Sequence, residues 1–300
     1  MADKDKGKSG GKKPAISYWS KKKCKCPVCE TQFQREEMLS GNGRMIAGNL
    51  TDELHRIFEP SAKFGRVYPL IYLIGACPEC HAAFFWSDFE EVKDPEVLRR
   101  ISDDAKHRKQ VVGNLFPHYN LKRERSLYDG AAMYFLALCT YDKVGAEHFP
   151  TMKRAIISLR LAWLCQDLEQ AVPGHNFKVA ADVFYRKALF FYQQAVVAET
   201  DRTEQSSAIP NAGPDMDKNY GWDGVVYLCG LLEYKYGQHD DPAQRIRKLD
   251  EYKTAIARIF GLGKSSKAKP GPLLEHSREL YNMLSKEIEE SETIDVGNAL

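Results

Sequence analysis

Cys26-Pro27-Val28-Cys29 and Cys77-Pro78-Glu79-Cys80 form two Cys-Pro-x-Cys knuckles with 47 residues between them. A gap of two residues lets both thiolates of a pair turn onto one metal face. Proline at the second position pre-sets φ and lowers the entropy lost on closure. Four thiolates fill a tetrahedral shell at ~2.3 Å and leave no position for water. The pattern predicts one structural Zn²⁺ held by Cys26, Cys29, Cys77 and Cys80. A redox dithiol would occur once, near a βαβ pattern, and none is present. An iron–sulfur cluster, which usually takes closer cysteines, stays open as a rival. A closed Cys₄ shell is a staple and does not itself predict catalysis. Cys24 lies in a Lys-rich surround that would depress its pKa; it reads as a spare ligand, a reactive thiol or an ordinary thiol on a mobile arm, the last being favoured. His81 could donate to a cysteine sulfur or simply lie at the surface.

Other candidates for chemistry fail on spacing. Gly261-x-Gly263-Lys264-Ser265 resembles the end of a phosphate loop, but Arg258 stands where that loop needs glycine. His55 and Glu59 read as a solvated pair, and Asp241 as the cap before Pro242 rather than a partner for His239. Cys139, Cys165 and Cys229 sit among apolar residues and read as core thiols. Trp163, Phe184, Phe191 and Trp222 read as core packing.

The elements that must position the knuckles follow from composition and periodicity. Residues 1–23 are rich in Lys, Gly and Ser and predict a disordered basic arm. Residues 24–90 predict a zinc-ribbon-like module of short strands, with an apolar strand at Tyr68–Tyr72 and one helix near Thr51–Phe58. Ser87 with Glu90 has the spacing of a capping box. Residues 91–290 predict a helical domain of about seven helices, and 291–300 a frayed acidic tail. Asp94-Pro95 opens a helix to about Val112. Leu127, Ala131, Tyr134, Leu138 and Tyr141 form a stripe at helical spacing. Met152 to Trp163 and Phe177 to Ala195 do the same. Helices follow at about 220–237 and 242–260; a basic linker, Gly263–Pro270, precedes the last one. Gly230 and Gly237 with Tyr227, Leu231 and Tyr234 resemble one degenerate tetratricopeptide-type repeat. The predicted fold is mainly α: tetratricopeptide-like helical hairpins with a small N-terminal β/zinc-ribbon module.

Charge narrows the function classes. The 300 residues carry a net +2, yet residues 1–25 hold nine Lys against two Asp, which leaves the rest at −5. No apolar run approaches the ~18 residues of a membrane span, and no apolar segment backs the charged N-terminus as in a secretory signal. A cytoplasmic protein is expected, in which cysteines serve as metal ligands or buried thiols.

The two knuckles around a variable insert, the apolar Tyr68–Tyr72 segment before the second, Asp88-Phe89-Glu90 after it and the run Leu159-Arg160-Leu161-Ala162-Trp163-Leu164 together resemble an uncharacterised bacterial family, domain-of-unknown-function family 2225. The resemblance covers about residues 24–260. It implies a zinc-ribbon-like start followed by tetratricopeptide-like helices, and it carries over the four cysteines alone. Members usually have Gly after each knuckle, where this chain has Glu30 and His81. The function expected is a non-enzymatic scaffold that binds a protein partner through a helical-repeat groove, the zinc being structural. The alternative is a nucleic-acid-binding ribbon that uses Trp19, Lys21, Lys22 and Lys23, where charge adjoins a stacking ring.

Overall fold

The computed structural model describes residues 14–261 and 269–297, with side chains to Ser291. The expectations for residues 1–13, for most of the basic linker and for Gly263-Lys264-Ser265 lie outside the described residues.

Three antiparallel hairpins precede the helices. β1 (Ser17–Lys25) pairs with β2 (Gln32–Met38), β3 (Ile46–Leu50) with β4 (Arg56–Glu59), and β5 (Ile74–Ala76) with β6 (Ala83–Phe85). Residues 17–23, expected in a disordered arm, are therefore strand. Composition understated them because their partners lie downstream: Ser17 donates to the buried Glu36 and Tyr18 to Glu37. The helix expected over Thr51–Phe58 is absent. Leu54 takes a left-handed φ of 59°, and Arg56–Glu59 is drawn into pairing with β3. The expected strand at Tyr68–Tyr72 is a 3₁₀ turn over Pro69–Tyr72, with proline at its first turn. Ser87 lies inside another such turn, Trp86–Phe89, and caps nothing.

Eight helices follow among the described residues: α1 (Pro95–Asp103), α2 (Ala105–Leu115), α3 (Leu127–Tyr141), α4 (Pro150–Ala171), α5 (Phe177–Thr200), α6 (Gly221–Tyr236), α7 (Pro242–Phe260) and α8 (Gly271–Gly297). The Asp94 carboxylate caps α1 by accepting from the N–H groups of Glu96 and Val97. Ser126 and Asp129 form a capping box on α3, and Asp241 caps α7. The single helix expected from 95 to 112 breaks at Asp104, and α8 continues through 291–297, where a frayed tail was expected. From α1 onward each helix packs on the next in chain order. Gly230 allows one such approach, since a Cβ there would stand 2.6 Å from Ile256 Cδ1 on α7. The fold is mainly α with a small N-terminal β region. None of its described helices is long and apolar enough to cross a membrane.

The β3–β4 loop enters the helical body. Glu53, 7% exposed, accepts from Trp163 Nε1 on α4 at 2.5 Å, Tyr185 Oη on α5 at 3.0 Å and Lys235 Nζ on α6 at 3.2 Å. Tyr227 donates to the Asp52 carbonyl. His55 stacks on Trp163 with ring centroids 4.0 Å apart and bonds Asp215, not Glu59, through Nδ1. Burial alone would raise the Asp215 carboxyl; His55 and the backbone N–H groups of Met216 and Arg56 outweigh it and hold the group below its usual range. Removing Glu53 takes the acceptor from the buried Trp163 N–H and Tyr185 hydroxyl, while Lys235 keeps its pair with Asp52. Glu53→Ala is expected to lower unfolding free energy by about 3 kcal/mol, read from denaturant midpoints at constant m-value. A loss under about 1 kcal/mol would show that the loop is no anchor.

Candidate metal centre

The first knuckle joins β1 to β2 and the second joins β5 to β6. Both close in the same way. The Cys26 N–H donates to the Thr31 carbonyl and the Glu30 N–H to the Cys26 carbonyl, each at 2.9 Å. The Cys77 N–H donates to Ala82 and the His81 N–H to Cys77, at 2.9 and 3.0 Å. Glu30 and His81 both adopt φ 62°, the left-handed region that favours glycine. A side chain there costs about 1–2 kcal/mol, so the departure from glycine keeps the geometry at the expense of strain.

Folding brings the four predicted cysteines together. Their Sγ atoms all lie within 4.8 Å of one another, with Cys26–Cys80 at 3.6 Å and Cys29–Cys77 at 3.5 Å. A tetrahedral ion with bonds of ~2.3 Å sets its sulfurs about 3.8 Å apart, so the cluster fits such an ion. The protonation pattern agrees. Hydrogen bonding to Cys77, with burial, pushes Cys26 up to about 12. Hydrogen bonds from Cys26 and Cys80 pull Cys77 down to about 2, and donating those bonds raises Cys80. Protein alone thus favours one thiolate served by its neighbours. Ionising Cys26 and Cys80 as well calls for a cation among the sulfurs.

Around the sulfurs, the fully buried Arg108 on α2 ties the second knuckle to the helices. It donates to the carbonyls of Cys80 at 2.9 Å, His81 at 3.1 Å and Ile101 at 3.0 Å, and pairs with Asp104. Arg125, just before α3, donates to the carbonyls of Ile71 and Ile74 beside β5, while its backbone N–H donates to Glu36 on β2. Burial lowers the Arg125 guanidinium to about 10. Sequence reasoning passed over Arg108, Arg125 and Glu36. The available signal was a charged residue inside an apolar stripe, as Arg108 is between Ile101 and Val112.

The remaining candidates stand apart from the sulfurs. Burial raises the Cys24 thiol instead of the Lys-rich surround depressing it, and Cys24 is outside the cluster. His81 sets Nδ1 3.2 Å from the Glu79 carbonyl and meets the Tyr119 ring edge-on, with no bond to sulfur. Cys165 and Cys229 are core thiols raised by burial to about 12. Lys21, Lys22 and Lys23 are exposed along the β1 bulge, and Trp19 is half-buried beside it.

The profile of a family described as "Uncharacterized protein conserved in bacteria (DUF2225)" matches residues 19–284. An uncharacterized protein of Borreliella burgdorferi is 40% identical over 274 residues, spanning 91% of this chain and 98% of that one. No solved structure matches the chain.

Metal analysis of the purified chain is expected to find one tightly held ion. Cys80→Ser should hold none and lose the near-ultraviolet signal of the N-terminal region while far-ultraviolet helicity largely persists. A Cys80→Ser protein that keeps a full complement of metal and its fold would refute a four-sulfur shell.

Proposed function

The chain belongs to this conserved bacterial family, DUF2225, and on that premise we propose that it is a zinc-stapled scaffold that docks a protein partner on its helices. Zn²⁺ suits four thiolates at tetrahedral spacing, and a closed shell gives the ion a folding role instead of an open site for turnover.

One observation carries the reading. Val179, Val183, Phe190 and Val197, spaced four, seven and seven along α5, form an exposed stripe, Val179 being 62% and Phe190 54% exposed. Scattered apolar surface residues are ordinary, whereas a contiguous stripe is a mark of interaction. Arg186 and Lys187 stand in it, and with Arg154 they line a shallow groove against Phe190 and Phe191. This chemistry suits a helix or extended segment carrying apolar anchors between carboxylates. The face shared by α4, α5 and α6 is met by Asp52–His55 of the same chain. That leaves the outer face of α5 for docking.

The alternative reading keeps one observation in its favour, the exposed run Lys21–Lys23 on the β1 bulge. A tagged pull-down from native lysate, with and without nuclease, separates the two. The scaffold reading expects a stoichiometric protein partner that resists nuclease and is lost from the doubly substituted Val183→Glu, Phe190→Glu chain, whose metal content and unfolding midpoint stay unchanged. Partners lost on nuclease treatment, with binding that falls steeply with salt, would reverse the order.

A further inference from the structure

The second knuckle leads through β6 into a segment, Phe85–Asp88, that faces α4 across a cavity of about 570 Å³. That volume is within the range of small-molecule sites. Its apolar walls include Phe85, Trp86, Phe149 and Ile156, drawn from both the β region and the helical body. The charges in it are unequal in depth. Asp88, 1% exposed, is satisfied within the protein, accepting from Lys153 Nζ at 2.5 Å and from the Tyr141 hydroxyl. Glu91 and Glu147 are exposed at the rim.

Arg160 is different. It lines the cavity at 5% exposure, its Nε donates to the Pro214 carbonyl at 2.7 Å, it also donates to the Tyr134 hydroxyl, and its guanidinium stands 5.6 Å from the Phe85 ring centroid. Among the described residues no carboxylate lies within ion-pairing distance of it. A buried cation without a counter-charge is costly. Arg108 and Arg125, the comparable buried arginines, each meet several carbonyls and a carboxylate. Arg160 retains donor capacity beside an open, largely apolar space.

We propose that this cavity binds a small organic monoanion, a carboxylate with an apolar body, whose head pairs with Arg160 and whose body packs between Trp86, Phe149 and Ile156. Arg35, which lines the same cavity over the Trp86 ring, pairs with Glu37, and Lys153 pairs with Asp88. One unmatched cation is left for one negative charge, and the apolar walls fit hydrocarbon or an aromatic ring. A nucleotide or other polyphosphate would call for several free cations and backbone N–H donors, which this cavity does not assemble. The site goes beyond the scaffold reading and does not rest on it.

The test is calorimetric titration of the full zinc-loaded chain with decanoate and with 1-naphthoate, against the neutral decanamide and 1-naphthamide, while Trp fluorescence reports on Trp86. At least one acid is expected to saturate one site per chain, about tenfold or more tighter than its amide. The tighter acid tells whether the natural ligand is aliphatic or aromatic. Arg160→Gln should cost about tenfold in acid affinity and leave amide affinity unchanged. Met216→Trp, on the exposed rim of the cavity, should weaken both acid and amide without shifting metal content. It keeps the test intact if Arg160→Gln misfolds. Absence of saturable binding by either acid at millimolar concentration, equal affinity for acid and amide, or unchanged affinity in both variants would overturn the proposal.

Discussion

Four sulfur atoms within 4.8 Å of one another impose the constraint on which the N-terminal part of this molecule depends. Packed and partly buried, they resist carrying four negative charges, and a cation bound at their centre would remove that obstacle. The cluster does more than close two turns. It joins hairpins whose cysteines lie 54 positions apart, and so fixes both ends of the insert that carries β3, β4 and the loop Thr51–His55. That loop delivers Glu53 and His55 to α4, α5 and α6. A metal held by these sulfurs would thereby be coupled, through the chain it closes, to contacts deep in the helical body.

Buried charge then does what apolar packing alone would leave loosely defined. Arg108 binds carbonyls of the second knuckle, Arg125 binds those beside β5 and reaches Glu36, Lys153 meets Asp88, and Lys235 meets Glu53. Each pair gives back much of its attraction as desolvation. What such contacts supply is direction: a guanidinium satisfied by three carbonyls accepts one placement of the β region on the helices, where an apolar surface would accept several.

The legible part of this fold was local. Cysteine spacing, Asp94 and Asp241 as caps, and the apolar stripes of α3, α4 and α5 rest on neighbours within about four residues, and the structure reproduces them. The illegible part was distant. β1 looked like a solvated arm because its register partner begins at Gln32 and its buried acceptor, Glu36, is itself held by Arg125. Thr51–Phe58 looked helical because nothing nearby reveals that Glu53 must reach Trp163, 110 positions away. In the candidate site the clustered cysteines were legible and their supports were not, because Arg108 acts through carbonyl oxygens and leaves no pairing pattern in the sequence.

The same limit explains why α4 yielded only one stripe to periodicity. Fourteen of its 22 residues are buried, on every side of the helix, so the residues that face different partners cannot be sorted by hydrophobicity. Position along the helix sorts them instead. Lys153, Ile156 and Arg160, spaced three and four apart, form one wall of the cavity against the β region. Trp163 carries the inserted loop through His55 and Glu53. Arg154, one residue on from Lys153 and so turned about 100° from it, stacks over Phe191 at 4.1 Å and borders the groove of α5. A single helix thus supports the cavity, the insert and the exposed stripe at once.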